Sequence, residues 1–95
     1  MNKKFYLGVE GGATNSTAIL ADESKILAQR EGKALNYHSE GKTQVRKNLV
    51  QFIGPLLRKT RGAQLFAVFG FPGLDTPRDK KIYRGVVRSV LPRGA

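Results

Sequence analysis

The stretch from Leu7 to Leu20 reads LGVEGGATNSTAIL, and it decides the fold of this chain. An apolar strand ends at Glu10, small residues follow at once, and a second run of β-branched and small apolar residues returns from Ser16. This pattern predicts two antiparallel strands joined by a glycine turn. Glycines in such a turn allow backbone N–H groups and the Thr14 hydroxyl to approach an anion closely, which indicates a nucleotide phosphate as the ligand.

Length and composition limit the class of protein. The 95 residues suffice for one domain with a modest hydrophobic core. There is no cysteine, so these residues form neither disulfides nor thiolate metal sites. No apolar run is long enough to span a membrane, and the N-terminal residues do not follow a secretory signal pattern. We therefore expect a cytoplasmic protein with no membrane partner.

The chain is strongly basic, with 17 Lys and Arg residues, 7 Asp and Glu residues and a formal net charge of +10. Such an excess favours anionic partners. The basic residues are spread over what would be the polar faces of two helices. Solvated helix surface is therefore the preferred interpretation, and a nucleic-acid interface is the alternative.

The middle of the chain predicts a third strand and a first helix. Residues 26–30 follow a polar turn and complete an antiparallel meander, while residues 31–41 have little periodicity and predict a surface loop. Apolar residues recur at helical spacing from residue 43 to residue 57. Pro55 lies inside this pattern, so we expect either a kink or a last turn that begins near it, and Gly62 is expected to stop the helix.

The last third of the chain predicts a parallel strand and a second helix. Residues 65–70 are nearly all apolar, which is typical of a parallel strand beside the first strand and covered on both faces. Thr76 as N-cap, Pro77 at the first helical position and Asp79 reaching back predict a helix start. The buried stripe of this helix is expected to contain Ile82, Val86, Val87, Val90 and Leu91. Residues 1–95 thus predict one α/β unit, an antiparallel three-strand meander extended by a parallel strand, with two helices.

This order of elements is that of the opening half of a ribonuclease H-like sheet. Four motifs in it resemble the N-terminal domain of the N-acetylglucosamine kinases, which belong to the BadF/BadG-type ATPases within the actin-like ATPase superfamily. The resemblance covers essentially the whole chain. Its motifs are GVEGGAT at residues 8–14, KILA at residues 25–28, Asn36, and GFPGLD at residues 70–75.

The resemblance implies an ATP-dependent kinase that uses Mg²⁺ and phosphorylates an amino sugar such as N-acetylglucosamine. Glu10 matches the acidic residue that orients Mg²⁺ through water, a role that suits a hydrated hard cation. Asn36 matches the residue that holds a sugar hydroxyl, and His38 lies near a sugar-contact position. By the same match, the residues that contact the ATP phosphates are Gly11, Gly12, Ala13, Thr14, Asn15 and, in a second turn, Gly73.

The chain departs from the family at three points. Ala13 replaces a third glycine of the phosphate turn, and Pro72 replaces a hydroxyl-bearing or other small residue. The family's catalytic aspartate belongs to a strand after the second helix, and that strand is absent from these residues. We therefore expect the N-terminal piece of a kinase, truncated before the catalytic strand and inactive alone. A missing C-terminal half or a partner chain would complete it, and a homodimer is a further option.

Two other functions fit the residues less well. A ribonuclease H-like nuclease or resolvase would gather carboxylates around metal ions, and Glu10, Asp22 and Asp75 fall in a strand end, a hairpin turn and a helix start. A non-catalytic basic module would either bind nucleic acid with a steep salt dependence or dock onto a partner that completes the sheet. Within the family, an ATPase that drives a partner enzyme also stays open.

Overall fold

The structure is a computed structural model that describes residues 3–12 and 14–92. Ala13, which the sequence assigns to the phosphate turn, lies outside the described residues. The strands are β1 (Lys4–Gly11), β2 (Asn15–Ala21), β3 (Ile26–Lys33) and β4 (Gln64–Gly70). The helices are α1 (Tyr37–Glu40), α2 (Lys42–Arg58) and α3 (Pro77–Val90).

The four strands form one sheet in the order β3-β2-β1-β4. β2 pairs antiparallel with both β1 and β3, and β4 pairs parallel with β1, with Leu7 opposite Ala67. A parallel pair needs a long crossover, and α2 lies in the connection between β3 and β4. The predicted meander and the predicted position of the parallel strand beside β1 are therefore confirmed.

The predicted loop at residues 31–41 is wrong at both of its ends. β3 continues to Lys33, and residues 37–40 form the short helix α1 with Asn36 as its N-cap. Gly32 lies inside β3 at a position where α2 packs closely on the strand. A Cβ there would lie 2.5 Å from Cδ1 of Phe52, so only glycine allows this packing.

Both long helices follow their sequence signals closely. α2 continues through Pro55, which has no N–H to donate to the preceding turn, and ends three residues later at Arg58. Gly62, with a φ of 75°, lies in the turn after the helix rather than at its C-cap. At the start of α3, Thr76 Oγ1 accepts the Asp79 N–H and Asp79 Oδ2 accepts the Thr76 N–H, which confirms the capping box.

The hydrophobic core lies between one face of the sheet and the helices. Alternate residues of β1 face this core, and the opposite sheet face is open. On that open face Tyr6, Phe66 and Val68 are 41%, 45% and 76% exposed, so the expectation that β4 is covered on both faces is wrong for the described residues. The buried residues of α3 are Asp79, Tyr83 and Val86. Of the expected stripe, Val86 is therefore buried as predicted, whereas Ile82, Val87, Val90 and Leu91 are only partly buried. No helix among residues 3–12 and 14–92 is long and apolar enough to cross a membrane.

Candidate functional site

Three loops meet at one end of the sheet. They follow β1, β3 and β4, and they contain the glycine turn, Asn36 and Gly73. Parallel β1 and β4 end at the same edge, and β3 ends there as well because two antiparallel steps separate it from β1. In open α/β sheets, ligands bind in the crevice beyond the carboxyl ends of the strands.

The glycine turn packs directly against the other two loops. A Cβ on Gly11 would lie 3.1 Å from Leu35 Cβ and 3.2 Å from Pro72 Cδ, and one on Gly12 would lie 2.3 Å from the Asn15 carbonyl oxygen. The Leu35 N–H donates to the Gly12 carbonyl over 3.5 Å. These glycines therefore serve close backbone approach, which a phosphate-binding turn also requires.

The hydroxyl of Tyr83 in α3 connects the loop after β3 with the loop after β4. Its hydroxyl lies 2.8 Å from the Pro72 carbonyl oxygen and 3.2 Å from that of Leu35, and it accepts the Tyr37 N–H at 3.2 Å. The side chain is 2% exposed, and burial raises the pKa of its hydroxyl. The hydroxyl therefore stays protonated and satisfies backbone groups that would otherwise be buried without partners.

Asp79 forms a second connection between the loops. Its carboxylate accepts hydrogen bonds from the Tyr37 hydroxyl, from the Asp75 N–H at 3.1 Å and from the Thr76 N–H at 3.0 Å. The Tyr37 hydroxyl is the main reason that the pKa of this carboxyl falls from 3.8 to about 2, and hydrogen bonds from Thr76 and Asp75 add to the effect. Asp79 is 4% exposed and thus remains ionised and fully engaged in the fold.

The structure brings His38 into contact with Gly73. His38 Nε2 lies 3.1 Å from the Gly73 carbonyl oxygen and 3.2 Å from Asp79 Oδ1. Because both neighbours are acceptors, Nε2 carries the proton. The ring is 47% exposed, so one edge holds the loops while the rest faces solvent. The residue predicted to contact sugar therefore touches the residue predicted to face the nucleotide.

Asn36 is oriented by the backbone that follows it. Its Oδ1 accepts the His38 N–H at 3.0 Å as the N-cap of α1. This hydrogen bond uses only the carbonyl oxygen of the amide. Asn36 therefore lies at the edge of the loop cluster with a fixed side-chain direction.

The remaining predicted residues lie on the solvent side of the turn. Thr14 and Asn15 are exposed. Glu10 is exposed on the open face of the sheet, opposite Thr17 of β2, where it lines a shallow cavity of about 270 Å³ that also contains Val68. An exposed carboxylate fits a cation that keeps its water shell. The residues present thus fit a phosphate turn with a water-mediated ion.

Two further observations concern the polar side chains of the described residues. Within residues 3–12 and 14–92, no group of three or more His, Cys, Asp or Glu side chains is placed to hold a metal ion, so the carboxylate trio that a nuclease would need is not assembled there. Ser16 follows the turn, and its buried hydroxyl has no hydrogen-bond partner in this described part of the chain.

Sequence reasoning missed the side-chain contacts that organise the site. These are the hydrogen bonds of Tyr37 and Tyr83 and, beyond the capping box, the hydrogen bond that Asp79 accepts from Tyr37. A usable signal was present, because Asp79 and Tyr83 are four residues apart and share one face of α3. An acid and a tyrosine on the face of a helix that also carries its apolar residues indicate a buried polar network.

Comparison with known proteins finds a distant similarity in sequence. No protein-family profile matches the chain. The chain is similar to the N-acetyl-D-glucosamine kinase of Dictyostelium discoideum, at 24% identity over 102 residues that cover 96% of this chain and 32% of that protein. The chain therefore spans about a third of the length of the curated relative that it matches.

Two solved structures share the fold. The PPX-GPPA enzyme of Aquifex aeolicus superposes with a TM-score of 0.61 at 13% identity, covering 93% of this chain and 33% of that chain. The gluconate kinase of Lactobacillus acidophilus superposes with a TM-score of 0.50 at 19% identity, covering 72% of this chain and 16% of that chain. These superpositions agree with the predicted α/β fold, an antiparallel three-strand meander extended by a parallel strand and packed against helices.

Proposed function

We propose that this chain is the N-terminal part of an ATP-dependent sugar kinase whose acceptor is an amino sugar such as N-acetylglucosamine. The contact between His38 and Gly73, beside the turn at Gly11 and Gly12, is the observation that carries the proposal. It brings together, at one end of the sheet, the residues that we propose for the two substrates. Similarity to an N-acetyl-D-glucosamine kinase supports the choice of acceptor.

On this proposal, the turn from Gly11 to Asn15 receives the ATP phosphates and Gly73 closes the nucleotide side. Backbone N–H groups of a tight turn and the exposed Thr14 hydroxyl are donors that suit a polyphosphate. Mg·ATP supplies the transferred phosphoryl group, and Glu10 would hold the ion through water. Ala13 is included in the turn because of its position in the sequence.

Asn36 and His38 are the proposed sugar contacts. With Asn36 Oδ1 engaged by the His38 N–H, the amide NH₂ is the group that would donate to a sugar hydroxyl. His38 is held through Nε2, so its exposed ring would flank the sugar while its position is fixed by Gly73 and Asp79.

No residue of this chain is proposed as the catalytic base. That role would belong to residues of a longer kinase, since the chain spans about a third of its curated relative. The open sheet face at Tyr6, Phe66 and Val68 would be covered by the same residues or by a partner chain. We include in the proposal a cytoplasmic location and membership of the BadF/BadG-type ATPases.

Calorimetric titrations of the chain with Mg·ATP and with N-acetylglucosamine test the proposal. Asn36→Asp keeps an N-cap acceptor but removes the amide donor, so it should weaken sugar binding by about tenfold, the equivalent of ~1.4 kcal/mol. Thr14→Ala should weaken Mg·ATP binding and leave sugar binding unchanged. If neither ligand binds, or if both variants bind both ligands as the unaltered chain does, the proposal is wrong.

A further inference from the structure

A groove of about 490 Å³ lies between α2 and α3. Lys42, Arg46 and Lys47 from the first turns of α2 and Lys81 from α3 line it, and all four are exposed. Arg46 Nε donates to Ser89 Oγ of α3 at 3.0 Å, which directs the guanidinium across the groove. The remaining guanidinium N–H groups can then pair with a carboxylate in a fixed geometry.

The helices that form the groove carry almost no negative charge. α2 contains no acidic residue, and the single acidic residue of α3, Asp79, is buried and bonded to the loops. The positive charge of the groove is therefore not neutralised within these helices. Their other basic residues are Arg58, Arg78, Lys80, Arg84 and Arg88.

The floor of the groove is apolar. It contains Ile82, which is partly exposed, and Val86, which packs on the core. Gly85 lies beside them, and apart from its chain neighbours and the adjacent helix backbone, a Cβ at this position would have no heavy atom within 4 Å. The missing side chain leaves open space above the apolar floor. The proposed kinase site makes no use of this groove.

We propose that the groove binds an acidic amphipathic segment of a partner protein, with carboxylates at its basic rim and apolar side chains above Ile82 and Val86. An amphipathic helix that lays its apolar face into a groove is a recurrent mode of peptide recognition. Single-stranded nucleic acid is bound largely by stacking on aromatic side chains, and no aromatic residue lines this groove in the described residues. Basic rim and apolar floor together favour the peptide.

Fluorescence anisotropy with two labelled probes tests this inference at an ionic strength of about 0.15 M. The first probe is a synthetic peptide of four helical turns, roughly 14 residues, with Leu at i, i+3 and i+4 spacing and Glu elsewhere. The second is a duplex DNA. We expect the peptide to bind the 95-residue chain more tightly than the DNA does.

Two variants separate the groove from diffuse charge. Gly85→Leu fills the open space without changing the charge, and because it improves helix propensity the fold is retained. Lys81→Glu reverses one rim charge. Each should weaken peptide binding by about tenfold or more, which corresponds to ~1.4 kcal/mol.

Matched controls change the same residue types elsewhere. Gly54→Leu alters a glycine of α2 outside the groove, and Arg61→Glu reverses an exposed charge beyond the other end of α2. Both should bind the peptide within about twofold of the unaltered chain, a difference of less than ~0.5 kcal/mol. Equal peptide affinity of Gly85→Leu and the unaltered chain overturns the inference. The inference is also overturned if the chain binds the DNA more tightly than the peptide and none of the four variants selectively changes the DNA affinity.

Discussion

The imidazole of His38 and the backbone of Gly73 are in direct contact, with Nε2 3.1 Å from the carbonyl oxygen. The two residues are 35 positions apart in the sequence and lie in loops that follow different strands. Gly73 has a φ of 70°, and a Cβ there would come within 2.6 Å of His38 Cδ2. The segment after β3 and the loop after β4 therefore pack directly against each other.

Gly73→Ala tests this packing. Both the left-handed backbone and the contact with His38 oppose a Cβ, so the free energy of unfolding should fall by about 1–3 kcal/mol. Urea denaturation followed by circular dichroism measures the change. Gly85→Ala is the control, and it should raise stability by up to about 1 kcal/mol because Gly85 is an exposed residue in a helix interior. A Gly73→Ala variant as stable as the unaltered chain would contradict the geometry.

Tyr83→Phe tests the hydroxyl that connects the loops. Its loss leaves the Leu35 and Pro72 carbonyls and the Tyr37 N–H without this partner, so stability should fall by about 1–3 kcal/mol. Thermal unfolding measures the effect. Tyr6→Phe removes the hydroxyl of a tyrosine that is 41% exposed and should change stability by less than about 0.5 kcal/mol. Equal effects of the two substitutions would show that the buried hydroxyl has no special role.

The carboxylate of Asp79 should make the stability of the folded protein sensitive to acid. Its pKa is about 2 in the folded protein and 3.8 ordinarily, so its contribution to stability is complete above 3.8 and is lost as the pH falls through about 2. Chemical denaturation across this window should give a smaller loss of stability for Asp79→Asn than for the unaltered chain. Asp75→Asn, which keeps the backbone N–H that Asp79 accepts, should follow the unaltered chain. Identical pH profiles for Asp79→Asn and the unaltered chain would refute the assignment.

Glu10→Gln tests the proposed ion site. The substitution removes the charge and retains the size of the side chain, so the gain in ATP affinity on adding Mg²⁺ should fall, while affinity for metal-free ATP should stay equal or rise. Calorimetry with and without Mg²⁺ measures both quantities. Glu31→Gln on β3 is a matched control and should retain the full effect of Mg²⁺. An undiminished Mg²⁺ effect in Glu10→Gln would remove Glu10 from the site.

The sheet and long helices could be predicted because their signals are local. The LGVEGG stretch ends β1, the all-apolar residues 65–70 form β4, and Thr76 with Pro77 begins α3. The continuation of β3 through Gly32 could not be predicted, because it depends on the ring of Phe52 from α2. Periodicity alone does not reveal which glycine accommodates a side chain from another element.

The loop contacts of the candidate site were also beyond local reasoning. His38 was predicted near the sugar, but its contact with Gly73 and Asp79 depends on how two distant loops fold against each other. The apolar character of β4 predicted cover on both faces, yet Phe66 and Val68 are exposed. The sequence of a strand shows that a face is apolar, but it does not show which element covers that face.

Titration of the ¹⁵N-labelled chain with Mg·ATP, followed by amide chemical shifts, tests the central claim most directly. The proposed function predicts that the largest shifts occur at Gly11, Gly12, Thr14 and Asn15, extend to Gly73, and diminish in Thr14→Ala. Shifts confined to the basic groove of α2 and α3, or no saturable shifts at all, would contradict a phosphate site in the turn after β1.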